Sequence, residues 1–222
     1  SVGKIVHQAA AKTLTPVVLE LGGKSPCIVT PSTNISLAAK RIAFGKFVNA
    51  GQTCIAPDYL LVHESIKVDF IQYLKKEILH AYSENPEKSI DFPRIINKKH
   101  FERLAGLLEG QSIIHGGNIN DIDFYISPTL VDEPTLESDL MKDEIFGPIL
   151  PILSYQSFSD LGKIISKYEK PLALYYFTTD KKSAQQIIKE FNFGGGCIND
   201  VIMQFSNKRL PFGGVGHSGI GA

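Results

Sequence analysis

Short apolar runs alternate with amphipathic helical segments along the chain, and this alternation restricts the fold more than any other feature. The strand candidates have the length of single strands and include 27–29, 59–62, 149–155 and 173–178. Segments between them, such as 161–168, repeat apolar residues at the spacing of one helix face. Strands separated by helices form parallel sheets that helices cover. We therefore predict an α/β fold with a doubly wound, mostly parallel sheet and helices on both faces.

Two polar residues mark the predicted starts of the first long helices. Asn34 precedes a periodic segment that runs towards Asn49, and asparagine there can cap a helix. The apolar face predicted for this helix carries Leu37, Phe44 and Val48. Ser65 is predicted to cap the next helix, with apolar positions at 71, 74 and 78.

Composition excludes several classes of protein. At 222 residues the chain can bury a sizeable core, and 43% apolar content is typical of a folded soluble protein. Lys plus Arg equals Asp plus Glu, 23 each, so no basic surface for nucleic acid or an anionic membrane is indicated. No apolar run approaches the roughly 20 residues of a membrane-spanning helix. Three cysteines without metal-ligand spacing favour free thiols in a reducing compartment, so we predict a cytoplasmic protein.

Candidate reactive residues lie 34 positions apart, in two glycine-bearing turns. Cys54 follows Gly51 in a predicted connection, where its sulfur can lie beside free backbone N–H groups. Glu20 ends an apolar strand at the Gly22–Gly23 turn and could act as a general base. The plainer alternatives are that Cys54 is a small buried hydrophobe and that Glu20 is paired with Lys24. The six histidines are scattered, so no metal site is proposed.

The stretch 214–219 fits the pattern G-x-G-x-x-G, but it lacks the helix and second strand that a dinucleotide-binding unit needs after it. We therefore interpret it as a crossing loop. The glycine, lysine and serine at 23–25 resemble the end of a phosphate-binding loop, but Val18 stands where that pattern needs glycine.

Four stretches in the same order resemble the signature motifs of the aldehyde dehydrogenase superfamily. They lie at 19–26, 49–57, 144–148 and 211–219. The sequences at 52–59 and 197–203 are most similar to those of the class 3 and fatty aldehyde dehydrogenase branch. The resemblance implies oxidation of an aldehyde to a carboxylic acid with NAD or NADP as cofactor.

The resemblance also implies roles for individual residues. Cys54 would be the nucleophile that forms a thiohemiacetal and then a thioester, and Glu20 would activate the water that releases the acid. Glu144 would hold the nicotinamide ribose, and Phe146 would lie near the nicotinamide ring. Gly3 would be a remnant of the turn that approaches the cofactor. Medium- or long-chain aliphatic or aromatic aldehydes are the implied substrates, and the parent protein is expected to be a homodimer.

We expect residues 1–222 to be the cysteine-bearing catalytic domain of a longer chain. Segments 1–16 and 205–222 would connect it to nucleotide-binding and oligomerisation parts. Two alternatives stay open: a coenzyme A-acylating dehydrogenase, and a non-catalytic protein on the same fold. The residues that would choose between NAD and NADP lie outside this sequence.

Overall fold

A computed structural model describes residues 2–221, and Ser1 and Ala222 lie outside the described part. The helices in chain order are α1 (Val2–Ala11), α2 (Ile35–Phe47), α3 (Glu64–Tyr82), α4 (Lys98–Gly106), α5 (Asp139–Lys142), α6 (Phe158–Ile165) and α7 (Lys181–Glu190). The strands are β1 (Leu19–Glu20), β2 (Pro26–Val29), β3 (Tyr59–His63), β4 (Ile113–His115), β5 (Ile119–Asn120), β6 (Tyr125–Ile126), β7 (Thr129–Asp132), β8 (Ile149–Tyr155), β9 (Ala173–Phe177), β10 (Gly195–Ile198) and β11 (Gly219–Ile220).

The main sheet has seven strands in the order β10-β9-β2-β3-β8-β7-β4. Every neighbouring pair is parallel except β4 and β7, which are antiparallel. Two small antiparallel ladders, β1 with β11 and β5 with β6, lie outside this sheet. The predicted α/β class with a mostly parallel sheet is confirmed.

Helices cover both faces of the sheet, as predicted. On β2, Cys27 and Val29 point into one core with residues of α2 and α3, whereas Ile28 points into a second core with residues of α6 and α7. This alternation is the two-residue period of a strand. Both faces of the central strands are therefore apolar. Polar groups lie at the ends of these strands.

The start of α2 was predicted correctly, but its core face was not. The Asn34 side chain accepts the Leu37 backbone N–H at 3.1 Å and caps the helix. The core face is formed instead by Ala38, Ala39, Ile42, Ala43 and Phe47. Phe44 is 57% exposed, because it lines a cleft outside the core. The helix thus has two apolar faces, and the sequence pattern alone does not distinguish core from cleft.

The cap predicted for α3 is displaced by two residues. His63, not Ser65, is the N-cap, and its ring nitrogen accepts the Ser65 backbone N–H. The buried positions Ile71, Leu74 and Ile78 are as predicted. No helix among residues 2–221 is both long and apolar enough to cross a membrane.

Candidate active site

The starts of three adjacent parallel strands bring the candidate residues to one edge of the sheet. Glu20 and the glycine turn precede β2, Cys54 precedes β3, and Glu144 precedes β8. Because β2, β3 and β8 are neighbours and parallel, the segments before them meet at their common amino end. The reactive groups are therefore assembled by the order of the strands, although they are up to 124 positions apart in sequence.

A strained turn sets the position of Cys54. Helix α2 ends at Phe47, and the next residues form a short 3₁₀ turn in which Asn49 and Ala50 have φ of 54° and 52°. Gly51 has φ of 71°, and a methyl group there would overlap the carbonyl oxygen of Gly147. Backbone strain of this kind persists only where the surrounding structure imposes it. The Cys54 loop and the loop after Glu144 are thus packed directly against each other.

The Cys54 thiol is half-buried and lines an open, mostly apolar cleft of about 650 Å³. The cleft walls come from the outer face of α2, from the Cys54 loop and from the segment after β10; they include Phe44, Val48, Ile202, Met203, Phe205 and Phe212. The sulfur is therefore accessible to a ligand, and the interpretation of Cys54 as a sealed core residue is wrong.

The electrostatic environment of Cys54 combines opposing effects. Burial raises the pKa of the thiol, and the negative charge of Glu144 and, more weakly, that of Glu20 raise it further. The backbone N–H groups of Cys54 and Ile55 act in the opposite direction and lower the pKa in part. Among residues 2–221 neither N–H takes part in a backbone hydrogen bond. The raising effects are the larger, so the pKa of the thiol lies above its ordinary value.

Glu20 is held by the β1–β11 ladder. Leu19 pairs with Ile220 and Glu20 with Gly219, and the Leu21 N–H donates to the Ser218 carbonyl at 3.0 Å. The crossing loop predicted at 211–219 thus leads into a strand that fixes the candidate base.

The Glu20 side chain is exposed. It is also not the partner of Lys24, whose ammonium group pairs with Asp58 at 2.7 Å. Glu20 lies near enough for its charge to act on Cys54, but it does not line the apolar cleft.

Glu144 is partly buried beside Gly22. A methyl group at Gly22 would overlap the Glu144 carboxylate, so only glycine fits there. Burial and the charge of Asp58 raise the pKa of Glu144 to about 7, against the lowering effect of the Gly23 N–H and of Lys46. Glu144 lines a polar cleft of about 540 Å³ together with Gly22, Gly23 and Lys24. It is a carboxylate poised to change protonation near neutral pH.

Phe146 and Gly3 lie in different surroundings. Phe146 is 37% exposed and adopts φ of 48° in the loop before β8. Gly3 is buried in α1, and a methyl group there would approach Leu21 Cδ1 to 2.8 Å. Gly3 lines a separate cleft of about 330 Å³ beside the β1–β11 ladder. Within residues 2–221 Gly3 and Glu144 thus line two different clefts, which share Leu21 and His217.

Several buried polar residues at this edge were missed from the sequence. Lys24 and Asp58 are 5% and 3% exposed. Lys46 is fully buried in α2, and burial lowers its pKa to about 8. The Tyr175 hydroxyl donates to the carbonyl of Ile55, next to Cys54, at 2.6 Å. A signal was available for Lys24 and Asp58, since each lies immediately before a buried strand, where a charge is rarely found unless it is paired.

No group of three or more His, Cys, Asp or Glu side chains that could hold a metal ion is found in residues 2–221. The cysteines Cys27, Cys54 and Cys197 are free thiols.

Comparison with known proteins agrees with the motif resemblance. Residues 1–222 match the aldehyde dehydrogenase family over the entire chain. The chain is 52% identical over 223 residues to 4,4'-diaponeurosporen-aldehyde dehydrogenase of Staphylococcus aureus, covering all of this chain and 49% of that protein. It is 47% identical to the dimeric NADP-preferring aldehyde dehydrogenase of Rattus norvegicus, again covering all of this chain and 49% of the relative. It is 49% identical to aldehyde dehydrogenase family 3 member A2 of Mus musculus, covering all of this chain and 46% of the relative.

Solved structures show the same fold. The substrate-bound state of Staphylococcus aureus AldH superposes with a TM-score of 0.96 at 52% identity, covering 99% of this chain and 48% of that one. The chain spans about half the length of the curated relatives that it matches.

Proposed function

The chain belongs to the aldehyde dehydrogenase family, and from that premise we propose that it carries the reaction centre of an NAD- or NADP-dependent enzyme that oxidises an aldehyde to a carboxylic acid. The observation that carries this proposal is the accessible Cys54 thiol in an apolar cleft, close enough to Glu144 and Glu20 for their charges to act on its pKa.

Cys54 is the proposed nucleophile. Its thiol loses a proton, and the sulfur bonds to the aldehyde carbon to give a thiohemiacetal. The carbonyl oxygen then carries the negative charge, which the Cys54 N–H is proposed to stabilise. Because burial and nearby carboxylates raise the pKa of the thiol, the proton must leave before the attack, and solvent water is the proposed acceptor. The thiohemiacetal oxyanion is a much better hydride donor than the free aldehyde.

Glu20 is the proposed base for the second half of the reaction. Loss of hydride leaves a thioester on Cys54, and a water deprotonated by Glu20 attacks the acyl carbon. The carbon–sulfur bond breaks, the acid leaves and the thiol is restored. The exposed position of Glu20 supports this role, since the carboxylate must meet water.

Glu144 and Phe146 are the proposed contacts for the nicotinamide end of the cofactor, and Gly3 is proposed as a remnant of the turn that approaches the cofactor. The residues fit such a group: Glu144 faces a cleft of about 540 Å³, and its carboxylate can accept hydrogen bonds from ribose hydroxyls. The nicotinamide, when bound, supplies the hydride acceptor. The name of the rat relative, an NADP-preferring enzyme, supports use of a nicotinamide cofactor.

The proposed substrate is a medium- or long-chain aliphatic or an aromatic aldehyde. The support is the wall of the Cys54 cleft, which is built from phenylalanine, valine, isoleucine and methionine side chains. Binding of an apolar chain against such a wall is favourable, because it removes apolar surface from water. The staphylococcal relative is named for a diaponeurosporen aldehyde.

We also propose that residues 1–222 act as the catalytic part of a longer cytoplasmic protein that forms a homodimer. The matched relatives are about twice as long, and one of them is named as dimeric. The free thiols support a reducing compartment.

The test is the substitution Glu20→Gln in that longer protein. We expect one equivalent of reduced cofactor to form in a rapid burst, while steady-state turnover falls about 10² to 10⁴-fold, because the thioester forms and then waits for a base. Stopped-flow absorbance of the reduced cofactor measures both phases. Glu190→Gln is the control, because Glu190 lies on α7, which covers the face of the sheet opposite to α2. It should change neither the burst nor the steady-state turnover.

Unaltered steady-state turnover in Glu20→Gln would remove Glu20 from the base role. Loss of the burst as well would place the defect before the thioester. Product analysis with and without coenzyme A separates the hydrolytic reaction from an acyl-transfer reaction.

A further inference from the structure

Lys24 and Asp58 form a buried ion pair at the amino end of the sheet. Lys24 Nζ lies 2.7 Å from Asp58 Oδ2, and the two side chains are 3% and 4% exposed. Each residue comes shortly before a strand, Lys24 before β2 and Asp58 before β3. The pair therefore joins the turn that follows Glu20 to the loop that contains Cys54.

The same pair holds the peptide groups on both sides of Glu144. Lys24 Nζ donates to the carbonyl of Asp143 at 3.0 Å, and Asp58 Oδ1 accepts the N–H of Ile145 at 2.9 Å. Lys24 also donates to the Leu140 carbonyl at 3.0 Å. The backbone at Glu144 is thus fixed from the residue before it and from the residue after it.

Little freedom is left for the Glu144 side chain. Gly22, two residues before Lys24, contacts the carboxylate so closely that a methyl group would overlap it. The Asp58 N–H donates to the Ser25 carbonyl at 2.8 Å, so the strand starts that carry the pair are also bonded to each other. A displacement of either charged group would shift Glu144 relative to the Cys54 loop.

Stability alone does not account for this arrangement. A buried ion pair costs so much desolvation that an apolar pair of similar volume is often equally stable. An apolar pair, however, cannot bond three peptide groups of the segment that carries Glu144. The contacts are those of a positioning device.

We propose that Lys24 and Asp58 are positioning residues that set the distance between the Glu144 carboxylate and the Cys54 sulfur. This rests on the proposed function only where it assigns Glu144 to the cofactor ribose. The consequence is that one buried ion pair, Lys24 with Asp58, sets both the affinity for the cofactor and the position of the nucleophile. Removing the pair should therefore change both together.

The test uses the double variant Lys24→Met/Asp58→Leu in the longer protein, which removes both charges and retains apolar packing. The first readout needs no cofactor: the pH dependence of Cys54 alkylation. Glu144 raises the pKa of the thiol, so Glu144→Gln should lower the alkylation midpoint. We expect the double variant to lower the alkylation midpoint as well. Adding Glu144→Gln to the double variant should then lower the midpoint little further.

The second readout is the dissociation constant for NAD, measured by calorimetry, which we expect to rise at least tenfold in the double variant. Asp58→Asn retains an oxygen for the Ile145 N–H and should give an intermediate value. Lys67→Met is the matched control, because Lys67 pairs with Asp132 at 2.7 Å at the end of β7, away from these loops. It should alter neither readout.

The outcomes separate the two proposals. An unchanged alkylation midpoint in a folded double variant overturns the positioning role, whatever happens to NAD binding. A shifted midpoint in the double variant, with NAD binding unaffected by Glu144→Gln, supports the positioning role and removes Glu144 from the ribose.

Discussion

The two ends of the parallel sheet are built from different chemistry. At the carboxyl end, a cleft of about 350 Å³ is lined by hydroxyl groups that bond to one another: Ser32 Oγ lies 3.0 Å from Thr178 Oγ1 and 3.1 Å from Thr30 Oγ1. At the amino end lie a thiol, a buried ion pair and groups whose pKa is displaced by burial. The hydroxyl groups at the carboxyl end are neutral and hydrogen-bond to one another. The amino end instead holds charged groups away from water.

The comparison shows that the fold alone does not locate the site. Open α/β sheets usually bind ligands outside the carboxyl ends of their strands, at the point where the strand order reverses. Here β9 and β2 are adjacent, and their following helices cover opposite faces, so such a point exists. The reactive residues lie at the other end. Their chemistry identifies the site, as expected where function depends on particular side chains.

The largest expected difference between the two ends of the sheet is in turnover. Cys54→Ala in the longer protein should lower steady-state oxidation of an aldehyde by about 10⁴-fold or more, since the proposed covalent intermediate forms on the Cys54 sulfur. Cys197→Ser is the matched control, because a serine there can still donate to Gln204 Oε1. Absorbance of the reduced cofactor measures both, and appreciable turnover in Cys54→Ala would end the covalent mechanism.

Two glycine-to-alanine substitutions should have opposite effects on stability. Gly51→Ala forces a side chain into a left-handed backbone and against the Gly147 carbonyl, so we expect a loss of about 2 to 3 kcal/mol. Gly162 lies in α6, which follows the carboxyl end of β8, with nothing within 4 Å of a new methyl group. Gly162→Ala should gain about 0.5 to 1 kcal/mol. Urea denaturation gives both values, and equal effects would show that the Cys54 turn is not strained.

A smaller difference is expected in the pH dependence of stability. Burial raises the pKa of Glu144 to about 7 from its ordinary value of 4.5, so the folded protein holds this proton more tightly than the unfolded chain does. Its contribution is present below pH 4.5 and is lost as the pH rises through 7. Glu144→Gln should remove a slope of at most about 1.4 kcal/mol per pH unit in that range.

The opposite sign is expected for Asp160 at the start of α6. Hydrogen bonds from Ser157 and Lys163 lower its pKa to about 2 from 3.8, so its contribution is lost as the pH falls through 2. Denaturation series for Glu144→Gln and Asp160→Asn, each against the unsubstituted protein, check the two signs. A flat difference for Glu144→Gln between pH 4.5 and 7 would show that Glu144 is not desolvated.

Local patterns were sufficient to predict most of the sheet and helices. Strand lengths and helical spacing depend on neighbouring residues, and so the strand predicted at 149–155 coincides with β8 and the one predicted at 173–178 is one residue longer than β9. The face of α2 that carries Phe44 and Val48 was wrongly predicted to be its core face, because these apolar side chains line a cleft and not the core.

The surroundings of the candidate site depend on contacts that sequence spacing does not reveal. The partner of Lys24 is Asp58, 34 positions away, and nothing in either local pattern distinguishes it from Glu20. Strand β1 is only two residues long, so no alternation could predict its ladder with β11. The roles of Cys54 and Glu20 as nucleophile and base stay predictions.

The β1–β11 ladder has a consequence for synthesis of the protein. Its two partners are about 200 residues apart in the chain, so a ribosome exposes Glu20 long before Gly219. The nucleophile loop and its glycine turn can therefore fold while the base still lacks its alignment. A nascent chain would carry the thiol before the β1–β11 ladder aligns its proposed hydrolytic partner.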